Sequence, residues 1–305
     1  MEEIEIGSFL SVADTSAIRP AIRVISWNIN RGQQLDEVLE FLRRTPADLL
    51  LLQEADINAR RTQYRNVARE IAHALRMEYV FGCEFQELAQ GNANSPAYHG
   101  QATLSRGPLL ESRILRFRRQ SGFWRPRWFV PNIQSLQRRI GTRMALVSHV
   151  LWFETHLVVY NVHLESRGND ALRRSQLAEI FYDLEQYDAA VPVVVAGDFN
   201  FDLSQEPTAS LLASSALNNP FQRGSAHSTT TRPGRARTVD WILTGGPLAC
   251  VGAVLHDSVL ASDHYPLSLT LELRSSSPRD FDRDLFTKTS PFAKGSFPHL
   301  SNSAS

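Results

Sequence analysis

Eight residues able to bind metal or move protons stand at the ends of strongly apolar runs. Asn28 follows RVISW, Glu54 follows LLLLQ and His163 follows VVYNV; Asp198 and Asn200 close VVVAGDFN, Asp240 precedes WIL, and Asp263 with His264 precedes YPLSLTL. Strand ends are where a sheet presents side chains to a shared cleft, so residues this far apart in sequence can converge. A hard divalent cation takes oxygen ligands, and Mg²⁺ needs only one or two carboxylates besides water and substrate phosphate. Glu54 and Asp263, helped by the Asn28 amide, can supply that. His163 and His264, with Asp198 and Asp240 as carboxylate partners, add acid–base capacity, because a carboxylate holds an imidazole in one tautomer and makes it more basic.

Taken singly, each residue has a plainer role. Glu54 fits a helix cap or an arginine's partner, and His163 fits a hydrogen-bonded surface histidine. GDFN fits an ordinary Asx turn, and Asp263–His264 fits an N-cap followed by a loop.

The segments that must position these residues alternate short apolar runs with amphipathic ones. AIRVIS reads as a strand, Leu35, Val38, Leu39 and Leu42 share one helical face, and DLLLLQE reads as a buried strand ending in a carboxylate. Val67, Ile71, Ala74 and Leu75 mark a second helix; EYVFG and QATLS read as short strands. MALVSHVLW and THLVVYNVHL flank a Phe153–Glu154 turn and predict a hairpin. Leu172, Leu177, Ile180, Phe181 and Leu184 mark a third helix, leading into VPVVVAGDFN, and TVDWILTG, GAVLHD and PLSLTLEL are the remaining strands. Mixed strands and helices with hairpins demand α/β packing that a purely parallel sheet would not supply.

At 305 residues the chain can bury one large core. Residues 21–274 are expected to form one catalytic domain. Residues 1–20 are expected to be a flexible arm, and 275–305, rich in Ser and Pro, a disordered tail. Lys+Arg and Asp+Glu both number 32, so global charge gives no argument for nucleic acid or membrane. Cys83 and Cys250 are far apart and outside any CxxC arrangement, which speaks against a disulfide framework or zinc knuckle and for reduced thiols in a cytoplasmic setting. The acidic opening MEEIEIG has no secretory pattern, and no apolar run reaches the roughly 20 residues of a membrane span.

In order, WNIN, LLLQEAD, GQATLSR, NVHLESR, VAGDFN, TVDWIL and SDHYPL resemble the endonuclease/exonuclease/phosphatase superfamily, from about Ile22 to Leu273. Its members include DNase I-like nucleases, apurinic endonucleases, sphingomyelinases and inositol-polyphosphate phosphatases. The resemblance implies a four-layer α/β sandwich of two packed mixed β-sheets flanked by helices, with the site at one edge. It implies a phosphoester hydrolase using Mg²⁺ or Mn²⁺, with Glu54 as principal metal ligand and Asn28 and Asp263 nearby. Asp198 and Asn200 would orient the attacking water and contact phosphoryl oxygens. His264 would be the catalytic histidine with Asp240 as its partner, and His163 would stabilise the pentacovalent oxyanions or assist the leaving group. Two positions depart from the DNA-repair members: Asn30 replaces an acidic residue, and His163 stands where apurinic endonucleases more usually have tyrosine.

The phosphoester itself is addressed by the segment 106–143. It runs from Arg106 to Arg143 with Glu111 as its single acid, and holds Phe117, Phe123, Trp124, Trp128 and Phe129 among its arginines. Arginine for phosphate and aromatics for base stacking, here Arg106, Arg167, Trp124 and Trp128, suit single-stranded nucleic acid. The HLESRG stretch resembles the tyrosyl-DNA phosphodiesterases of the same superfamily. The same composition also suits a membrane headgroup interface, as a sphingomyelinase or inositol-phosphate enzyme would need, or arginines snorkelling over their own core. A nucleic-acid phosphodiesterase is the expected activity and the membrane surface the lesser alternative. An inactive binding module would require loss of a ligand or of the histidine pair, and both are present. No obligate protein partner is evident.

Overall fold

Two parallel strand pairs organise the architecture, because parallel neighbours need a crossover and a crossover helix must lie on a sheet face. The computed structural model describes residues 4–11, 21–92, 95–123, 139–221, 228–231 and 237–274. In the first pair, β2 (Ile22–Arg31) and β3 (Leu49–Ile57) are joined by α1 (Leu35–Arg44). The larger sheet grows from them, with β1 (Ile4–Ser8), β4 (Glu78–Asn92), β5 (Ser95–Ser105), β7 (Arg139–Gly141), β12 (Leu248–Leu255) and β13 (Leu267–Leu273), in the order β1-β4-β5-β3-β2-β13-β12 with β7 beside β4. In the second pair, β9 (Thr155–His163) and β10 (Val193–Asp198) are joined by α3 (Asp170–Leu184). With β6 (Leu109–Arg116), β8 (Met144–Trp152) and β11 (Asp240–Gly245) they form a sheet ordered β11-β10-β9-β8-β6. Two mixed sheets packed face to face and flanked by helices are the fold that the sequence resemblance implied.

Burial on both faces explains the uninterrupted apolar runs. Leu50 and Leu52 face α1 and α2 (Val67–Leu75), where Leu35, Val38, Leu42 and Ile71 are buried against them. Leu49 and Leu51 point the other way and meet Val159, Val194, Ala196 and Ile242 of the second sheet. Val195 of that sheet faces Leu177 and Ile180 of α3. The β8–β9 hairpin turns at Phe153 and Glu154, both at positive φ, as a tight two-residue turn requires.

Three features differ from expectation. Ile4–Ser8, in the supposed arm, pairs antiparallel with β4, and Ile4 packs near Val80 and Met144. EYVFG and QATLS lie within long hairpin strands of 15 and 11 residues. Leu109–Arg116, inside the basic segment, is a sheet strand, where Arg113 bonds Asp183 at 2.6 Å and Arg116 bonds Thr142 at 3.0 Å. These two arginines are thus paired within the protein. The tail 275–305 lies outside the described residues. Among the described residues, no helix is long and apolar enough to cross a membrane.

Candidate active site

Strand register places three of the expected residues in one row. Asp240, Asp198 and His163 lie directly opposite one another across β11, β10 and β9, and directly opposed residues share a sheet face. All three are buried. Asp198 Oδ2 is the meeting point: Asn28 Nδ2 donates to it at 3.2 Å, His163 Nε2 lies at 3.6 Å and His264 Nε2 at 3.8 Å. His264 Nδ1 is held by Asp240 at 2.8 Å. The loop carrying His264 is clipped to β2 by Trp27 Nε1, which donates to the His264 carbonyl at 2.8 Å, and by Ser262, which donates to the Asn28 carbonyl at 2.6 Å.

Irregular backbone aims the remaining groups. The β2–β3 and β3–β5 registers both shift beside Glu54, whose φ is +54°. A non-glycine residue in the left-handed region costs on the order of 1–3 kcal/mol and persists only where its surroundings impose it. Asn200, at φ +58°, donates its backbone N–H to Asp198 Oδ1 at 2.8 Å and its amide to the Leu164 carbonyl at 3.1 Å. Glu54 is half-buried, with Arg31 Nη2 at 3.4 Å.

The charges are unequally held. Burial, reinforced by Asp240, pushes the Asp198 carboxyl up to about 6. Burial works against charge on His264, but Asp240 and Asp198 outweigh it and raise the imidazole to about 10. Burial would likewise raise Glu54, yet Arg31, with Arg143, brings it below its ordinary value. The negative charge of Asp263, next to His264 in sequence, raises His264 and opposes ionisation of Glu54.

Glu54, Asn28 and Asp263 are the residues expected to hold a divalent ion. Among the described residues, Asp198, Asp240 and His264 present one atom each within 4.8 Å of one another, although there Asp240 already engages His264 Nδ1.

Not every expected residue reaches the site. Arg106 bonds the Ala47 carbonyl at 3.0 Å, and its preceding Ser105 pairs with Leu49, at the opposite end of β3 from Glu54. Because β5 runs antiparallel to β3, the chain leaves β5 on the far edge of the sheet. Arg167 follows His163 closely, is exposed, and stacks its guanidinium 4.9 Å from the Phe123 ring centroid. Glu165 brings that pair together by accepting the backbone N–H groups of Arg167 at 2.9 Å and Ser121 at 3.3 Å. Trp124 and Trp128 lie outside the described residues.

Sequence reasoning missed Arg143 and Glu84, which are buried beside His163. Arg143 Nη1 reaches Glu84 Oε2 at 2.9 Å and His163 Nδ1 at 2.8 Å, while Gln101 donates to Glu84 Oε1 at 2.8 Å. Gln101 lies in the GQATLSR segment, the only sequence signal for this cluster. A second buried network joins Asp56 to Arg61 at 2.6 Å and to His99 at 2.9 Å.

Comparison with known proteins adds a family. The Endonuclease/Exonuclease/phosphatase family matches residues 25–264. No curated protein matches. An endonuclease/exonuclease/phosphatase structure from Beutenbergia cavernae DSM 12333 is 18% identical with TM-score 0.61, covering 84% of this chain and 72% of that one. The human Nocturnin catalytic domain with bound sulfate is 20% identical with TM-score 0.62, covering 88% and 97%. TDP2 of D. rerio, humanised by 14 mutations, is 17% identical with TM-score 0.59, covering 83% and 100%. At such identities the structures share the fold.

Proposed function

The chain belongs to the endonuclease/exonuclease/phosphatase family, and from that premise we propose that it is a divalent-metal-dependent phosphodiesterase acting on nucleic acid. The observation that carries the chemistry is the convergence on Asp198 Oδ2 of Asn28, His163 and His264. Glu54, Asn28 and Asp263 are the residues to hold Mg²⁺ or Mn²⁺: all offer oxygen, and neighbouring cations favour ionised Glu54. When bound, such an ion polarises the phosphoryl group and stabilises the departing oxygen.

The protein groups divide the remaining work. Asp198, a carboxylate made more basic by burial, accepts the proton of the attacking water. His264, backed by Asp240 and held as imidazolium, stabilises charge on the phosphoryl oxygens. Asn200 and His163 contact the same oxygens.

The Arg167–Phe123 pair supports a nucleic-acid substrate, because a guanidinium for phosphate and a ring face for a base stand together just beyond His163. The arginine-rich segment with Trp124 and Trp128 extends that reading, and the thiols of Cys83 and Cys250 are in keeping with a cytoplasmic setting. The test is hydrolysis of single-stranded DNA, abasic duplex, 5′-tyrosyl DNA, sphingomyelin and inositol phosphates with Mg²⁺, Mn²⁺ or EDTA, beside Glu54→Ala. Metal-dependent cleavage of a nucleic acid, lost in the variant, supports the proposal. Cleavage of only sphingomyelin or inositol phosphates replaces the substrate class, and silence throughout leaves a binding module.

A further inference from the structure

The two imidazoles of the site are wired in opposite senses. His264 Nδ1 faces a carboxylate, Asp240, whereas His163 Nδ1 faces the guanidinium of Arg143 at 2.8 Å. A guanidinium has five N–H donors and no acceptor, so a nitrogen that hydrogen-bonds to it must present a lone pair.

We propose that Arg143 is a positioning residue that fixes His163 as a neutral imidazole protonated on Nε2, making it a permanent hydrogen-bond donor to the phosphoryl group and not a proton-transferring acid. The second half rests on the phosphoesterase reading; the tautomer does not. Arg143 is anchored on several sides. Nη1 also donates to Glu84 Oε2 at 2.9 Å, Nη2 donates to Ser166 Oγ at 3.1 Å, and the guanidinium lies 5.2 Å from the Phe85 ring centroid. Its main chain is held at both groups by the Gln120 side chain, at 3.0 Å and 2.9 Å. Glu84 is fixed in turn by Gln101.

Glu84 Oε1 lies 3.6 Å from His163 Nδ1, and a carboxylate so placed would ordinarily favour imidazolium. Because Arg143 Nη1 donates both to Glu84 and toward Nδ1, a proton on Nδ1 would instead confront another donor at a buried position. The opposite nitrogen, Nε2, then carries the proton and stands 3.6 Å from Asp198 Oδ2, at the site's meeting point.

The ring is read directly by ¹⁵N NMR of the whole protein, with His163→Gln assigning its signals. The expected wild-type spectrum at neutral pH shows bare Nδ1 and protonated Nε2. Arg143→Met combined with Glu84→Gln, which avoids a stranded carboxylate, should free the ring to exchange tautomers or take a second proton; Arg143→Lys should retain the wild-type pattern. A wild-type ring protonated at Nδ1 at pH 7 overturns the proposal.

Kinetics test the donor role on whichever diester the enzyme cleaves. Loss of the donor in His163→Ala should lower kcat about 10²–10³-fold, by the same factor for a p-nitrophenyl as for an alkyl leaving group, and His163→Gln should recover part of it. A loss that disappears with the p-nitrophenyl group, which needs no proton, makes His163 an acid and overturns the donor role. If no substrate is cleaved, the phosphoesterase reading fails while the NMR result still decides the tautomer.

Discussion

Asp240 and His264 are joined at 2.8 Å through Nδ1, with Asp198 3.8 Å from the opposite ring nitrogen. One imidazole thus lies between two carboxylates, each of which favours its charged form. Replacing His264 with alanine should lower kcat on the order of 10²–10⁴-fold. Purified, folded His264→Ala turning over near the wild-type rate would remove this residue from the mechanism. Asp240→Asn should move in the same direction and, by ¹⁵N NMR, lower the pH at which His264 loses its proton.

Glu54 gives a prediction that needs no substrate. Mg²⁺ or Mn²⁺ should raise the melting temperature of the wild-type protein, since an ion that binds only the folded state stabilises it by mass action. Glu54→Gln keeps the shape but removes the charge, and the metal-induced shift should disappear. Full retention of the shift would move the ion to the Asp198, Asp240 and His264 grouping.

His99 is fully buried beside Asp56, and burial foremost pushes its imidazole well below the ordinary value. The unfolded chain takes a proton on this histidine below about pH 6.5 while the folded protein does not. Its contribution therefore leaves stability intact above that pH and reduces it by about 1.4 kcal/mol per unit as pH falls below. His99→Gln should show a correspondingly shallower acid loss than wild type in urea titrations at pH 7.5, 6.5 and 5.5. Equal slopes would mean that His99 is charged in the folded state.

Arg167 and Arg106 should separate cleanly. Arg167→Ala is expected to weaken single-stranded DNA binding and reduce the salt slope by about 1, and Phe123→Ala to weaken binding with the slope unchanged. Arg106→Ala, at the far end of β3, should leave both affinity and slope as they are. A fluorescence-anisotropy salt titration measures all three, and a loss in Arg106→Ala would place nucleic acid on the opposite edge of the sheets.

Leu51 is fully buried between the two sheets. Leu51→Ala should cost about 2–5 kcal/mol, measured by chemical denaturation. A loss below 1 kcal/mol would show that the layers can close over the missing side chain.

The candidate residues were visible in the sequence because each stands at one end of an apolar run. The run LLLL is buried on both faces, and the first carboxylate after it, Glu54, stands where the registers of β3 shift, although the strand itself continues to Ile57. Helix α1 was legible from the same cause, its four core leucine and valine positions being those now buried. Arg106 and Arg143 show the boundary of such reasoning. Both closed the same basic segment, yet one bonds a backbone carbonyl away from the site and the other is buried against His163. An arginine's stem and charge fit either setting, and only the partners that folding brings to it distinguish them.

Residue type and order thus carried the α/β pattern and the family resemblance, and through that resemblance the two-sheet architecture, since apolar periodicity and motif wording are local properties of the chain. Tertiary pairing settled what local pattern does not contain: the edge strand β1, the convergence on Asp198, and the opposite wiring of the two histidines. Asn28 reaches Asp198 across 170 residues and Arg143 reaches Glu84 across 59. Contacts at that separation arise from sheet register and burial, in which a side chain acquires its partner, its charge state and its proton together.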